Sequence, residues 1–403
     1  MPVPIHHLQR ADRLLGRWAL LALWPAAVLR RAPAAERRVL VIKFWGLGSL
    51  QLMTPALEAL GRAHPGARLE LLTLPTNRAF VERLGLFEAI HTVDVTDAGW
   101  ARTIWRLART ARAIRARRFA AVYDFEFFTN ASAAFAVLSG APESHGFAAP
   151  GSRRTERLHT HRVPFNRYRH VARNFRSLAG GADDAPVRAG DLSPFEVRDA
   201  DRAELASLAF EHGFAGEGPL VVLNPNAGGL SLERRWPAER FGLLAARCIG
   251  ELGARVALIG APDERARNAE VVRHAGPQPA GRIFDLAGRA SLPASFALLA
   301  SADVFVTNDS GPMHVAAALG TPTLGLFGPE TPVMYAPLGM RARWFYEPPP
   351  CSPCINVHDN KLSVCVKGFA ECLTNISVAR VFAAVREELA TPRSEPLEPE
   401  RAR

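Results

Sequence analysis

The first group of residues that could do chemistry is a glycine-containing turn, residues 43–49, directly after an apolar run. It contains Lys43, Gly46, Gly48 and Ser49. Two glycines let the backbone turn tightly into a following helix, whose unpaired N–H groups attract anions or hydroxyl-rich groups. The turn lacks the third glycine of a dinucleotide-binding fingerprint, so a ligand site and a plain structural turn fit it equally well.

A second turn, residues 308–314, again lies between an apolar run and a helical segment. It contains Asp309, Ser310, Gly311 and His314. Backbone N–H groups at the start of such a helix could bind a diphosphate without a metal ion, and Asp309 suits a sugar hydroxyl. His314, one turn into the helix, could bind phosphate or be a buried core histidine.

A third turn, residues 224–229, includes Asn226 and precedes Arg234 and Arg235. A glycine-rich loop followed by arginines offers positive charge for a leaving diphosphate. A solvated loop is the alternative interpretation of the same residues.

These turns follow elements that repeat along the chain. Apolar runs of strand length alternate with helical segments, which predicts two doubly wound parallel sheets whose ligands bind at the carboxyl ends of the strands. The predicted strands are residues 39–42, 69–74, 90–95, 120–125, 220–224, 255–259, 304–307 and 323–327. The predicted helices are residues 50–60, 103–118, 200–212, 238–252 and 313–319.

The same pattern divides the chain into segments. We predict a first Rossmann-like domain over residues 37–185, a linker over 186–217 that holds a short helix, and a second Rossmann-like domain over 218–385. A Pro- and charge-rich tail, residues 386–403, is expected to be disordered. Two such domains are expected to face each other across a cleft.

Together these motifs resemble those of glycosyltransferase family 9, the bacterial heptosyltransferase family. The family's "GxLGD" and "TPAL" are matched by residues 46–49 and 54–57. Its "KxWP" and "GxxxE" are matched by residues 234–237 and 260–264. Its "DTGPxHLAAALGTPxxxLFGPTxP" is similar to residues 309–329, which form the most specific match. The resemblance covers about residues 37–381.

This resemblance implies a GT-B fold and an inverting transferase that needs no metal for catalysis. It implies that the first domain binds the acceptor through the loop with Lys43, Gly46 and Gly48, and that the second binds a nucleotide-diphosphate sugar, by resemblance ADP-heptose. The implied donor-binding residues are Asn226, Arg234, Glu264, Asp309, Ser310, Gly311 and His314. Arg234 takes the position of a family lysine.

Ser49 is the main departure from the family pattern, because that position belongs to the aspartate regarded as the general base. Serine alone cannot serve as that base. Asp124 and Glu126, at the end of a predicted strand, are the candidates to replace it. Alternatively, the chemistry depends weakly on a base, or the protein is a catalytically silent family member that binds nucleotide sugar or scaffolds an envelope-glycan complex.

Composition limits the partners. The chain has 403 residues, 48% hydrophobic and 22% charged, as in folded globular proteins, and its net charge of +10 favours anionic partners. We expect a nucleotide-sugar donor, a lipid-linked or polysaccharide acceptor and an anionic membrane surface, and no nucleic acid, because no recognised module is present. No apolar run is long enough to predict a transmembrane helix.

Residues 1–36 combine Trp18 and Trp24 with basic residues. This composition favours an interfacial membrane helix or a helix packed on the protein itself. A second helical segment, residues 103–118, has one basic face, which could contact a membrane or an anionic acceptor, or could simply be solvated. We predict a cytoplasmic protein peripheral to the inner membrane.

Four of the five cysteines lie close together in the sequence with the spacing C-x2-C-x10-C-x6-C. They are Cys351, Cys354, Cys365 and Cys372. Four thiolates could hold a structural zinc, and buried thiols without a metal are the alternative. No cofactor is expected to be required for catalysis.

Overall fold

The computed structural model describes residues 37–95, 100–127, 129–148, 158–180, 186–214, 216–228, 231–355 and 365–392. The chain divides between Val187 and Arg188 into two compact units. Among these described residues no helix is long and apolar enough to cross a membrane. The interfacial helix predicted for residues 1–36 lies outside the described residues.

Unit 1 contains a six-stranded sheet in which all neighbouring strands are parallel. The spatial order is β3-β2-β1-β4-β5-β6. The apolar run predicted from the sequence forms the central strand, which is buried from its second residue onward because neighbours cover it on both sides. The strands are β1 Arg38–Ile42, β2 Arg68–Thr73, β3 Ala89–Thr92, β4 Ala121–Asp124, β5 Glu143–Ala148 and β6 His161–Pro164.

The helices of unit 1 connect these parallel strands. They are α1 Leu47–Leu52, α2 Thr54–Ala63, α3 Arg78–Leu84, α4 Trp100–Ala116, α5 Asn130–Ser139 and α6 Val171–Leu178. The single helix predicted over residues 50–60 is wrong, because the helix breaks at Met53. Pro55 has no N–H to donate to the Gln51 carbonyl, and the Thr54 hydroxyl donates to that carbonyl instead, at 2.9 Å.

Unit 2 also contains a six-stranded sheet of parallel neighbours, in the order β12-β11-β10-β7-β8-β9. Its strands are β7 Leu220–Asn224, β8 Arg255–Leu258, β9 Ile283–Asp285, β10 Val304–Asn308, β11 Thr323–Phe327 and β12 Ala342–Tyr346. The two central strands, β7 and β10, are buried along their whole length. Chain order and spatial order differ on either side of β7, so the sheet is doubly wound.

The helices of unit 2 are α7 Asp199–Glu211, α8 Ala238–Leu252, α9 Arg265–Ala275, α10 Leu292–Ser301, α11 Gly311–Ala318, α12 Pro332–Tyr335, α13 Glu371–Thr374 and α14 Val378–Ala390. Helix α8 and strands β7 and β11 have the predicted bounds. The predicted tail begins within α14, which continues to Ala390. Residues 393–403 lie outside the described residues.

The segment predicted as a linker, residues 186–217, belongs from Arg188 onward to unit 2. The Phe195 ring lies edge-on to Phe296 at 5.2 Å between centroids. Glu204 on α7 accepts hydrogen bonds from the N–H and the hydroxyl of Ser291, at 3.0 and 2.7 Å. These contacts attach the segment to helix α10.

Candidate functional site

In unit 1, parallel pairing brings the first glycine turn beside the end of strand β4. Ile42 of β1 lies opposite Asp124 of β4, so the residues that follow both strands meet at one edge of the sheet. Lys43 Nζ lies 3.1 Å from Glu126 Oε1, and both side chains are almost completely buried. The Lys43 ammonium also lies 4.8 Å from the centroid of the Phe127 ring.

The Glu126 carboxylate also holds the backbone of the turn. The same Oε1 accepts hydrogen bonds from the N–H groups of Phe44, at 2.5 Å, and Trp45, at 2.8 Å. The turn then reaches Gly46, whose φ of +87° is a conformation that favours glycine. Three donors on one oxygen make Glu126 a residue that positions the turn.

Asp124 is buried next to Glu126 and has different partners. Its Oδ1 accepts a hydrogen bond from Glu126 N at 3.0 Å, and its Oδ2 lies 3.7 Å from His159 Nε2. The other ring nitrogen of His159 lies 2.8 Å from Ser144 Oγ. Burial raises the pKa of Asp124 to about 7, against the effect of a hydrogen bond with Ser132. A carboxyl with this pKa can bind and release a proton near neutral pH.

Ser49 lies in helix α1, three residues after Gly46. A Cβ at Gly46 would lie 3.1 Å from Ser49 Oγ, so the hydroxyl packs against the turn. Gly48 is buried, and the side chain of Lys43 points into the interior, toward Glu126. The structure therefore places all four residues of the first turn together and gives Lys43 a buried ionic partner.

In unit 2, the second and third turns meet at the carboxyl ends of β7 and β10. Thr307 lies opposite Asn224, and the Asn224 amide donates to Thr307 Oγ1 at 3.2 Å and to Ser310 Oγ at 3.0 Å. The Asn308 amide donates to Asn226 O at 3.2 Å. Asn308 Oδ1 accepts from the N–H of Trp236 at 2.9 Å.

Asn224 and Asn308 are two site residues that the motifs in the sequence do not single out. Both residues are the last of a fully buried strand. A buried amide needs hydrogen-bond partners, so an asparagine at the end of an apolar run is the signal that could have identified them.

Arg234 joins the third turn to the second. Its Nη1 donates to the carbonyl oxygen of Asp309 at 3.0 Å and lies 3.2 Å from the carboxylate of the same residue. Its Nη2 donates to Ala227 O at 2.7 Å. The guanidinium therefore fixes both turns at one position, and a positive charge stays beside the start of helix α11.

Helix α11 begins at Gly311, with Ser310 as its N-cap residue. The Ser310 hydroxyl does not cap this helix; it lies 3.0 Å from Thr307 Oγ1 instead. His314 lies in the first turn and is buried. The N-terminal end of an eight-residue helix beside Arg234 is a region of positive potential.

Glu264 lies near Asn226 of the third turn. A Cβ at Gly260 would meet both side chains, at 2.7 Å from Asn226 Nδ2 and 3.4 Å from Glu264 Cβ. Glu264 accepts a hydrogen bond from the N–H of Ala261 at 2.8 Å, and burial raises its pKa. Asn226 Oδ1 is buried without a hydrogen-bond partner among the described residues.

The four neighbouring cysteines line one cavity, together with Glu233, Lys367 and other residues. Cys351 and Cys354 are exposed, whereas burial and the nearby Cys354 thiol raise the pKa of Cys372 to about 11. Within the described ranges, no group of three or more His, Cys, Asp or Glu side chains is arranged to hold a metal ion.

A family model matches residues 107–364, more than half of the chain, and its description is glycosyltransferase family 9 (heptosyltransferase). The chain belongs to this family. The predicted α/β architecture, with two Rossmann-like units of the GT-B type, is thereby confirmed.

Curated relatives carry heptosyltransferase names. Lipooligosaccharide heptosyltransferase 2 of Haemophilus influenzae is 36% identical over 179 residues, which cover 43% of this chain and 49% of that protein. Lipopolysaccharide heptosyltransferase 1 of Pseudomonas aeruginosa is 27% identical over 374 residues, 88% of this chain and 99% of that protein. The chain thus spans about half the length of the first of these relatives and nearly all of the second.

Solved structures share the fold. A family 9 glycosyltransferase from Veillonella parvula matches with a TM-score of 0.69 and 25% identity, covering 88% of this chain and 97% of that one. The E. coli ADP-heptose lipopolysaccharide heptosyltransferase II matches with a TM-score of 0.68 and 21% identity, covering 87% of this chain and 98% of that one.

Proposed function

We propose that this protein is an inverting glycosyltransferase that moves a heptose-like sugar from a nucleotide diphosphate to a lipopolysaccharide-core or other envelope-glycan acceptor. The observation that carries the proposal is the arrangement at the start of α11. There Arg234 joins Asp309 and Ala227 beside a helix N-terminus that can receive a diphosphate.

Unit 2 is the proposed donor-binding unit. The N–H groups of Ser310 and Gly311 and the side chain of His314 bind the diphosphate, and Arg234 stabilises its negative charge as it leaves. Asp309 and Glu264 accept hydrogen bonds from sugar or ribose hydroxyls. The buried Asn226 Oδ1 is an acceptor available to a further donor group. Names of relatives and solved structures that include heptosyltransferase and ADP-heptose make ADP-heptose the first donor to test.

Unit 1 is the proposed acceptor-binding unit, with the turn containing Gly46, Gly48 and Ser49 beside the acceptor hydroxyl. Lys43 takes part through its ion pair with Glu126. Of the two base candidates, Asp124 fits better, because the carboxyl oxygen of Glu126 that faces the turn already accepts three donors. The pKa of about 7 for Asp124 is in the range that general acid–base catalysis uses.

The first experiment measures ADP release from ADP-heptose by the purified chain, with and without a heptose-deficient lipopolysaccharide-core acceptor. We expect release that depends on the acceptor, and a decrease in kcat of about a hundredfold or more in Asp124→Asn, the usual loss for a general base. Glu126→Gln separates positioning from proton transfer, because it should raise KM while the pH profile of kcat keeps its shape.

A catalytically silent protein remains the alternative, and Ser49 is the observation that favours it. Such a protein would bind ADP-heptose, seen as a rise in thermal stability, and release no ADP with any acceptor preparation. An absence of both binding and release, with ADP, GDP and UDP sugars alike, would overturn the donor-site proposal as well.

We also propose that the chain lies at the cytoplasmic face of the inner membrane. After cell fractionation it should sediment with inner membranes at low salt and be released by high salt.

Of the two interpretations of the neighbouring cysteines, we propose thiols without a metal. Cys351, Cys354, Cys365 and Cys372 line one cavity, but they are not arranged to hold a metal ion. Metal analysis should therefore find no more zinc in the purified wild type than in Cys351→Ser/Cys354→Ser, and about one zinc per chain lost in that variant would overturn this interpretation.

A further inference from the structure

Helix α4 presents two large apolar side chains on a basic surface. Ile104 is 62% exposed and Trp105 is 57% exposed, whereas Leu107 and Ile114 of the same helix are packed against the interior of unit 1. The helix sequence, WARTIWRLARTARAIRA, contains arginines and no acidic residue. Exposed tryptophan next to exposed isoleucine is costly in water, so this face is a candidate contact surface.

The opposite face of α4 anchors it in unit 1. Ile114 is fully buried, and Leu107 and Ala111 pack against the hydrophobic cluster that contains Ile114 and Phe44. Arg106 pairs with Asp94 at 2.7 Å, and Arg115 donates to a backbone carbonyl of α5. These contacts leave three exposed arginines on the outer face: Arg102, Arg109 and Arg112.

The spacing aligns these residues. Four residues of α4 follow one another at intervals of three or four and therefore lie in a single stripe along the helix: Arg102, Trp105, Arg109 and Arg112. The Arg109 guanidinium lies 5.5 Å from the centre of the Trp105 ring. An indole between guanidinium groups suits the boundary of an anionic bilayer, where the ring enters the headgroup region and the arginines contact phosphates.

Helix α7 shows that exposure alone does not make such a surface. Phe210 is 89% exposed, yet α7 carries Asp199, Asp201, Glu204 and Glu211. An anionic lipid surface would repel those carboxylates. Among the described helices, α4 and α7 expose a large aromatic side chain. Of these two, only α4 has basic residues and no acidic residue.

We propose that the stripe Arg102, Trp105, Arg109 and Arg112, with the adjoining Ile104, docks unit 1 on an anionic phospholipid surface. The proposal rests on the proposed function, in which the acceptor is lipid-linked. Because the inner face of α4 and Trp45 pack against the same hydrophobic cluster of unit 1, docking holds the Gly46–Ser49 turn close to the lipid headgroups.

Binding of the full chain to vesicles tests this docking. Phosphatidylcholine vesicles with and without phosphatidylglycerol are sedimented with the wild type, with Ile104→Ser/Trp105→Ser and with Arg109→Glu/Arg112→Glu. We expect each double variant to lower the partition coefficient on phosphatidylglycerol vesicles by at least about tenfold. The matched controls on α7 are Phe210→Ser and Arg202→Glu. Their partition coefficients on the same vesicles should stay within about twofold of the wild-type value.

A local measurement separates α4 from any contribution of residues 1–36. Brominated lipids quench tryptophan that enters the bilayer, so wild type should lose more emission than Trp105→Phe. Equal quenching in both, or unchanged partition in both double variants, overturns the proposal. A third outcome is that the wild type is a dimer in gel filtration, that the double variants are monomers, and that their partition onto vesicles is unchanged. This result would overturn lipid docking and show that the exposed face of α4 contacts a second copy of the chain.

The proposed function is tested separately in the same variants. Thermal stabilisation by ADP should equal that of the wild type, because α4 lies in unit 1 and the proposed donor-binding residues lie in unit 2. Normal vesicle binding with no response to ADP would overturn the transferase proposal and leave the docking surface standing.

Discussion

Lys43 and Glu126 form a buried ion pair across the carboxyl ends of two neighbouring strands, with 3.1 Å between Nζ and Oε1. The pair differs from a surface salt bridge, because the same carboxylate also holds the N–H groups of Phe44 and Trp45. Glu126, which the sequence makes a candidate catalytic base, therefore anchors the turn that contains Gly46 and Ser49.

Replacing Glu126 by glutamine should lower the free energy of unfolding by about 3 kcal/mol, because it leaves the Lys43 ammonium buried without a countercharge. Urea unfolding of Glu126→Gln measures this. The matched control is Glu88→Gln, which breaks an exposed ion pair with Arg68 and should cost less than about 1 kcal/mol. Equal losses in the two variants would contradict a buried charge pair.

The double variant Lys43→Met/Glu126→Gln extends this test. Removing the ammonium as well takes away the buried charge, so the double variant should be more stable than Glu126→Gln alone. A double variant that is less stable than either single variant would show that Lys43 contributes mainly by packing.

The central strands and the larger helices could be predicted from the sequence because their burial is visible in it. Strand β7 and helix α8 have the predicted bounds, since a short apolar run and an amphipathic period of 3.6 residues are unambiguous. Strands β5 and β6 could not be predicted from the sequence. Their residues, Glu143–Ala148 and His161–Pro164, are mostly polar or small, and the two strands lie toward one edge of the sheet.

The partners of the site residues could not be predicted in the same way. Asp124 and Glu126 are two residues apart, and no local pattern tells which of them pairs with Lys43. That choice depends on the register between β1 and β4, which is a long-range property. The amide contacts of Asn224 and Asn308 depend likewise on the pairing of β7 and β10.

Arg234→Lys, which restores the family's residue type, should weaken ADP binding about tenfold. The guanidinium bonds two carbonyl oxygens and a carboxylate at once, and an ammonium cannot keep this geometry. Isothermal titration with ADP measures the change. Arg235→Lys is the control, because Arg235 donates to Leu232 O, at 3.3 Å, which lies outside both turns. An unchanged Kd in Arg234→Lys would mean that charge alone matters at this position.

Asp124 should make stability depend on pH. Burial raises its pKa from 3.8 to about 7, so between these values the folded chain holds a proton that the unfolded chain has lost. This contribution to stability is complete below about pH 4 and disappears as pH rises through 7. The variant Asp124→Asn keeps the charged and polar residues that face this carboxyl, which are Lys43, Glu126, Ser132 and His159.

The stability of wild type relative to Asp124→Asn should therefore fall by up to about 4 kcal/mol between pH 4 and pH 8. Urea unfolding of both proteins at each pH measures it, and contributions from groups that do not interact with Asp124 cancel in the difference. A difference that stays constant with pH would mean that Asp124 is ionised in the folded chain throughout this range.

Gly146 in β5 should tolerate no side chain, because a Cβ there would lie 2.3 Å from the His159 ring. The ring is held between Ser144 and Asp124, so Gly146→Ala must push it out of that position. We expect a loss of about 2 kcal/mol in the free energy of unfolding, typical of overpacking.

The control for this substitution is Gly61→Ala, in an exposed turn of α2 where a Cβ meets nothing within 4 Å. There alanine should stabilise the chain by up to about 1 kcal/mol, because it favours the helix more than glycine does. If Gly146→Ala were as stable as wild type, the His159 ring would have to lie elsewhere in the folded chain. Asp124 would then face a different partner, and its pH dependence would change in the same variant.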